Sequence, residues 1–202
     1  MLEPGLDLIE GLKARYSEPQ RHYHTWQHIE ALLRHFDGIA DALNNPTAVL
    51  WALYWHDAIY DPHAPDNEDK SAELMIDAAR TELDVNSLEL AEKIIRATKK
   101  HQIPEGLSPT DADDLALFLD VDLSILGADN AVFDGYECQI RDEYAFVPLE
   151  LYRQARGGIL KGFLNRERLY FTDHFHDLWE TQARANLTRS IETLERGDSA
   201  HV

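Results

Sequence analysis

The chain has 202 residues, 44% of them hydrophobic and 28% charged, and its 37 Asp and Glu outnumber its 19 Lys and Arg to give a formal charge of −18. That is the composition of a globular protein long enough to bury a proper core. The acidic excess weighs against a nucleic acid duplex, whose backbone is bound by clustered Lys and Arg, and against an anionic membrane surface. A small phosphorylated substrate stays open, because a local metal ion or a few cations overrule the global field.

In chain order, apolar residues recur at helical period nearly throughout, and no run alternates as a strand would. The first stretch, MLEPGLDLIEGLKARYSEPQ, has neither the basic start nor the apolar middle of a signal peptide. A helix is expected from Leu6 to about Tyr16, a loop at Ser17-Glu18-Pro19, and a second helix from near Thr25 past Phe36. Asn45-Pro46 reads as a cap followed by a first-turn proline. The third helix carries the apolar run Val49 to Trp55 and is expected to stop near Tyr60-Asp61-Pro62. After the loop at residues 63–67, Glu68 to Glu82 is amphipathic, with Ala72, Met75, Ile76 and Ala79 on one face. Helices follow at Leu88 to Lys99, Asp111 to Leu126 (stopped by Gly127), Asn130 to Tyr144, Pro148 to Leu164 and Thr172 to Glu195. None of them nears the roughly 18 uninterrupted apolar residues of a membrane span. Cys138 is the only cysteine; it is expected in the core, with no intrachain disulfide and a reducing cytoplasm as the compartment. The expected fold is a single all-α domain over residues 1–202, a bundle of about eight or nine helices.

Three stretches carry chemistry. In YWHDAIYD, His56 and Asp57 interrupt an apolar helix where a charge is buried only with a partner. A divalent cation takes an imidazole nitrogen and a carboxylate oxygen together; alternatively, Asp57 caps a neighbouring group while His56 packs. In HYHTWQH, His24 and His28 are four apart and share a face if the helix has begun by then. In FLDVDLSILG, Asp120 and Asp122 point roughly 200° apart on a helix, so one faces a given site and the other is expected at solvent or as a cap.

The order His28 … His56-Asp57 … Asp122 resembles the HD superfamily of metal-dependent phosphohydrolases. The phrases RHYHTWQHI, WHDAIYDP, DNEDKSAEL, ATKKH, DVDLSILG and IRDEYAFVP resemble its predicted bacterial metal-dependent phosphohydrolase subfamily, over roughly residues 20–190. The resemblance implies an HD-domain-like bundle, with a core at about 20–128 and C-terminal helices at about 129–196. It implies one divalent cation on His28, His56, Asp57 and Asp122, Asp122 being preferred to Asp120 because Asp-Leu-Ser resembles the phrase in cyclic-nucleotide phosphodiesterases. In those relatives a Tyr-His-Asn segment supplies the leaving-group acid; here Tyr23-His24 matches it, and Thr25 replaces the Asn. In the HD enzymes that hydrolyse guanosine tetraphosphate the pattern is HDxxED, which Asp61 matches and Tyr60 does not.

Two imidazoles and two carboxylates leave about two positions on an octahedral cation, for a water and a phosphate oxygen. The expected activity is hydrolysis of a phosphate ester of a small metabolite or nucleotide by metal-bound water; the alternative is a non-catalytic metal-containing ligand-binding or regulatory protein. A mixed nitrogen and oxygen set suits Mn²⁺, Co²⁺, Ni²⁺, Fe²⁺ or Zn²⁺ better than Mg²⁺. Asp61 and Glu68 are candidates to orient the attacking water, and His24 is a candidate acid. His101, Lys99 and Lys100 close a helix and are candidate phosphate contacts, as are Arg141 and Tyr144; His101 is also the candidate for a second metal. Arg141 alternatively pairs with Glu137 or Glu143 at the surface. His63, His174, His176 and His201 are expected in loops or at the surface, and Trp26, Trp51, Trp55 and Trp179 in the core.

Overall fold

A computed structural model describes residues 1–197, and among them every regular element is helical. The α-helices are α1 (Leu6–Arg15), α2 (Trp26–Ile39), α3 (Pro46–Trp55), α4 (Asn67–Ala79), α5 (Val85–Thr98), α6 (Pro109–Asp122), α7 (Asn130–Glu143), α8 (Leu149–Leu164) and α9 (Asp173–Arg196), with short 3-10 segments at Ala40–Ala42 and Leu123–Gly127. The all-α expectation holds. No helix is long and apolar enough to cross a membrane. His201 lies outside the described residues. The chain divides into two compact units, Met1–Val121 and a second from Asp122 onward, so the division falls at the last residue of α6.

In the first unit, α3 is apolar on all sides, and Ala48 to Leu53 and Trp55 are all buried. Such a helix must be surrounded, and α2, α4 and α5 pack against it. Its start is fixed twice. Asn45 Oδ1 accepts from Ala48 N (3.0 Å), and the fully buried Asp114 carboxylate accepts from the backbone N–H groups of Asn44 and Asn45, each at 2.7 Å. Its end comes at Trp55, earlier than the proline-based expectation. The carbonyls of Asp57 and Ala58 accept from Arg21, and Ile59 N donates to Ser71 Oγ. A longer helix would have placed the Ile59 N–H on the Trp55 carbonyl, which accepts from Ala58 N at 3.0 Å instead, and Arg21 satisfies the carbonyls of the turn that follows. α6 is likewise buried on most sides, through Leu115, Phe118, Leu119 and Val121.

In the second unit, α8 and the segment Leu123–Gly127 both pack on α9. The expected single helix to Leu126 tightens to 3-10 geometry after Asp122. Gly127 is required by proximity: a Cβ there would lie 2.5 Å from Trp179 Cβ. Asn186 is fully buried and donates to the carbonyls of Leu126 and Ala128 (2.8 Å each), so this irregular backbone stays satisfied. The loop between α8 and α9 is held by Glu180, which accepts from the N–H groups of Leu169 and Tyr170, and by Arg184, which donates to the carbonyls of Leu164, Arg166 and Glu167. Cys138 is exposed, against the expectation of a core position, because α7 turns Phe133, Glu137 and Ile140 inward instead. Trp51 and Trp55 are core and stack 4.8 Å apart, whereas Trp26 and Trp179 are only half-buried.

Candidate metal centre

Three elements of the sequence meet at one point. His28 lies in the first turn of α2, His56 caps the end of α3, and Asp122 closes α6. One ligand atom from each lies within 4.8 Å of the others. Both imidazoles are buried, His28 at 6% exposure and His56 at 1%. The choice of Asp122 over Asp120 has a local cause. Phe118 meets the His56 ring edge-on at 5.8 Å, and Asp122, four residues on, projects from the same helix face. Asp120 is fully buried, contrary to the expectation that it faces solvent or caps, because α6 has little exposed surface to offer it.

His56 Nδ1 lies 2.9 Å from the Leu53 carbonyl, which can only accept, so Nδ1 carries the hydrogen. In a neutral His56, Nε2 therefore presents a lone pair. That Nε2 faces His28 Nε2 at 3.2 Å and Asp57 Oδ2 at 3.1 Å. A lone pair turned toward a carboxylate requires a positive charge beside it. Protons on the imidazoles supply one, and they hold the Asp57 carboxyl well below the ordinary carboxylate range. Burial opposes its ionisation, but the charges of His56 and His24, a hydrogen bond from His56 and the charge of His28 together outweigh that. A cation would supply the same charge. Two donors about 2.1 Å from one ion, subtending about 90–110°, lie about 3.0–3.4 Å apart, which brackets the separation of the two imidazole nitrogens. Asp57 Oδ2 is also 4.0 Å from His28 Nε2, so this carboxylate borders the trio from the turn after α3. The donor set thus fits a divalent ion.

His24 lies in the bend before α2, not on the helix with His28, because the helix starts at Trp26. It nevertheless faces the cluster: its Nε2 is 4.0 Å from Asp57 Oδ2, and its ring stacks on Tyr60 at 4.3 Å. Several of the remaining candidates have local partners of their own. Asp61 is exposed, and its carboxylate accepts from His63 N at 2.9 Å to shape the loop. Glu68 is in the first turn of α4. Lys99 pairs with Asp69 (2.9 Å), which also takes Arg96, so its ammonium pKa is raised by that bond. Lys100 is exposed, and His101 follows it in the left-handed region with φ 47°. In the second unit, Arg141 donates to the carbonyls of Tyr144 (2.6 Å) and Val147 (3.3 Å) and stacks on Tyr152, closing the end of α7 instead of pairing with a surface glutamate. Tyr144 caps that helix, its ring 6.0 Å from Phe146. His63 and His174 are exposed and His176 is half-buried.

One residue escaped sequence reading. Arg21 is buried, and its guanidinium donates to the carbonyls of His24 (3.0 Å), Asp57 (2.8 Å) and Ala58 (3.1 Å). It was masked by lying in a loop among histidines; the signal was a lone cation between two aromatic-rich phrases. Set beside models of protein families, curated proteins and solved structures, the chain matches none.

Proposed function

We propose that the protein is a metal-dependent phosphohydrolase acting on the phosphate ester of a small metabolite or nucleotide. The observation that carries this reading is the convergence of ligand atoms from His28, His56 and Asp122 within 4.8 Å of one another, with His56 Nε2 3.2 Å from His28 Nε2 and 3.1 Å from Asp57 Oδ2. His28, His56, Asp57 and Asp122 would hold one divalent ion, for which Mn²⁺, Co²⁺, Ni²⁺, Fe²⁺ or Zn²⁺ suits the mixed donors better than Mg²⁺. Such an ion neutralises charge on a phosphoryl group and acidifies a coordinated water. Asp57 keeps its carboxylate ionised and keeps the centre electron-rich. The Leu53 carbonyl fixes the His56 tautomer so that Nε2 stays a donor of electrons. His24, stacked on Tyr60 and facing Asp57, holds a proton at Nε2 for the departing alkoxide. The reducing cytoplasm is the compartment this reading assumes.

The test has two stages. Metal analysis of the purified protein is expected to find about one transition metal per chain, lost in Asp57→Ala. A screen of nucleotides and sugar phosphates with Mn²⁺ or Co²⁺ is expected to find a hydrolysed ester. Metal binding with no hydrolysis in that screen favours the non-catalytic binder, and unchanged hydrolysis in His56→Ala would sink the mechanism.

A further inference from the structure

The ligands of this centre come from segments far apart in the sequence, and something must set their separation. His24 enters from the bend before α2 and His28 from the first turn of α2 that follows it, while His56 and Asp57 enter from the turn after α3. Backbone hydrogen bonds shape the bend and the turn each within itself, and neither is regular helix that would carry one into the other. Across this gap lies the side chain of Arg21. Arg21 Nη1 donates both to the His24 carbonyl and to the Asp57 carbonyl, and Nη2 donates to the Ala58 carbonyl. Nε is bound by Glu18 Oε2 at 3.1 Å, which orients the guanidinium plane. Its flanks are occupied too: Cζ lies 5.0 Å from the Tyr16 ring and 5.4 Å from the Tyr60 ring, the same Tyr60 on which His24 stacks. Gln20 adds a bond to the Tyr60 carbonyl at 2.9 Å.

We propose that Arg21 is a positioning residue that presets the metal centre by clamping the His24 bend to the His56-Asp57 turn. The proposal rests on the metal-centre reading above. A single Nη1 shared between the two carbonyls ties the backbone carrying His24 to the backbone carrying Asp57. The planar fork explains why arginine is needed. Lysine brings three donors on one point and cannot span three carbonyls and a carboxylate at once. Because the guanidinium touches main chain and not ligand atoms, its effect reaches the ion only through the geometry of His24, His28, His56 and Asp57.

Arg21→Lys keeps the charge and most of the stem, so it separates geometry from electrostatics. Glu18→Gln is the milder companion, loosening the Nε anchor while leaving the carbonyl bonds in place. Co²⁺ is the probe: its affinity by competition with a chromophoric chelator, and its visible absorption band as a report of coordination. Thermal unfolding of the metal-free proteins is measured in parallel, with Asp114→Asn as a control that weakens the other end of α3. In Arg21→Lys, Co²⁺ affinity is expected to fall about tenfold to hundredfold with a shifted band, as for other residues that orient ligands. Glu18→Gln is expected to shift affinity in the same direction by less, and Asp114→Asn to lower the melting temperature without moving the band. Wild-type affinity and band in a folded Arg21→Lys, or in Glu18→Gln if the lysine variant does not fold, overturn the clamp alone. No Co²⁺ binding by the wild-type protein overturns the centre itself and the clamp with it.

Discussion

The two units bury polar side chains in opposite ways. In the second, Arg156 places a cation against Glu137, donates to Tyr136 Oη at 2.8 Å and lies over the Tyr136 ring, while Ser190 Oγ donates to the same glutamate at 2.9 Å. Burial alone would lower the Arg156 pKa, but Tyr136, Glu137 and their hydrogen bonds raise it beyond the ordinary range, so the charge stays. The set is complementary and closes on itself. At the candidate metal centre, the Nε2 atoms of His28 and His56 meet the Asp57 carboxylate, and each of these atoms can offer electron density to one space once the imidazoles are neutral. Opposite charges packed together hold a fold; acceptors packed together call for an electrophile.

The sharpest way to break this contrast is to substitute on both sides of it. On the proposed function, His56→Ala and Asp57→Ala are expected to abolish metal binding and to lower the proposed phosphohydrolase activity by roughly a thousandfold or more, since several kcal/mol of charge stabilisation from an ion would convert at about 1.4 kcal/mol per tenfold. Metal analysis and steady-state rates read both. Arg156→Met should do the reverse, leaving Glu137 buried without its cation at a cost of about 3–5 kcal/mol by denaturant unfolding. Its metal content should stay at the wild-type level. Chelation comes next in size. At an ion concentration near 100 Kd, removing the ion is expected to cost about 2.7 kcal/mol of stability, in wild type and Arg156→Met alike, and nothing in His56→Ala.

How far the sequence could be read follows the same division between local and distant causes. Helices α7, α8 and α9 are legible from periodicity and from Asn130, Pro148 and Thr172 near their starts, because those signals act within a turn of the residue that carries them. His28, His56 and Asp122 were legible through motif order, which survives any separation in the chain. What escaped was set by partners far along the chain. The end of α3 at Trp55 depends on Arg21 and Ser71, and neither leaves a mark on residues 56–61. Pro62 was the visible stop, but the tertiary bonds act first. Asp120 misled for a related reason: a 200° offset from Asp122 means exposure only on a half-buried helix, and α6 is buried nearly all round. Arg141 caps the end of α7 and Lys99 pairs with Asp69, partners that charge at a helix end does not reveal by itself.

The smallest expected effect tests whether the first unit separates fold from site within one helix. Asn45 caps α3 at the end away from His56, accepting from Ala48 N and donating from Nδ2 to Ser87 Oγ at 3.1 Å. Asn45→Ala removes both bonds but leaves the backbone N–H of residue 45 on Asp114, so the loss should be close to an ordinary cap, about 1 kcal/mol. Asn45→Asp, which restores a cap acceptor in most helices, should not rescue it here. The new carboxylate would sit beside buried Asp114 and would lose the donor that Ser87 accepts. Metal affinity should be unchanged in both, because Arg21 and the Leu53 carbonyl set the far end of the helix independently of its start. A loss of affinity that tracks the loss of stability would mean instead that α3 moves as one rigid rod, carrying its cap and its ligand together.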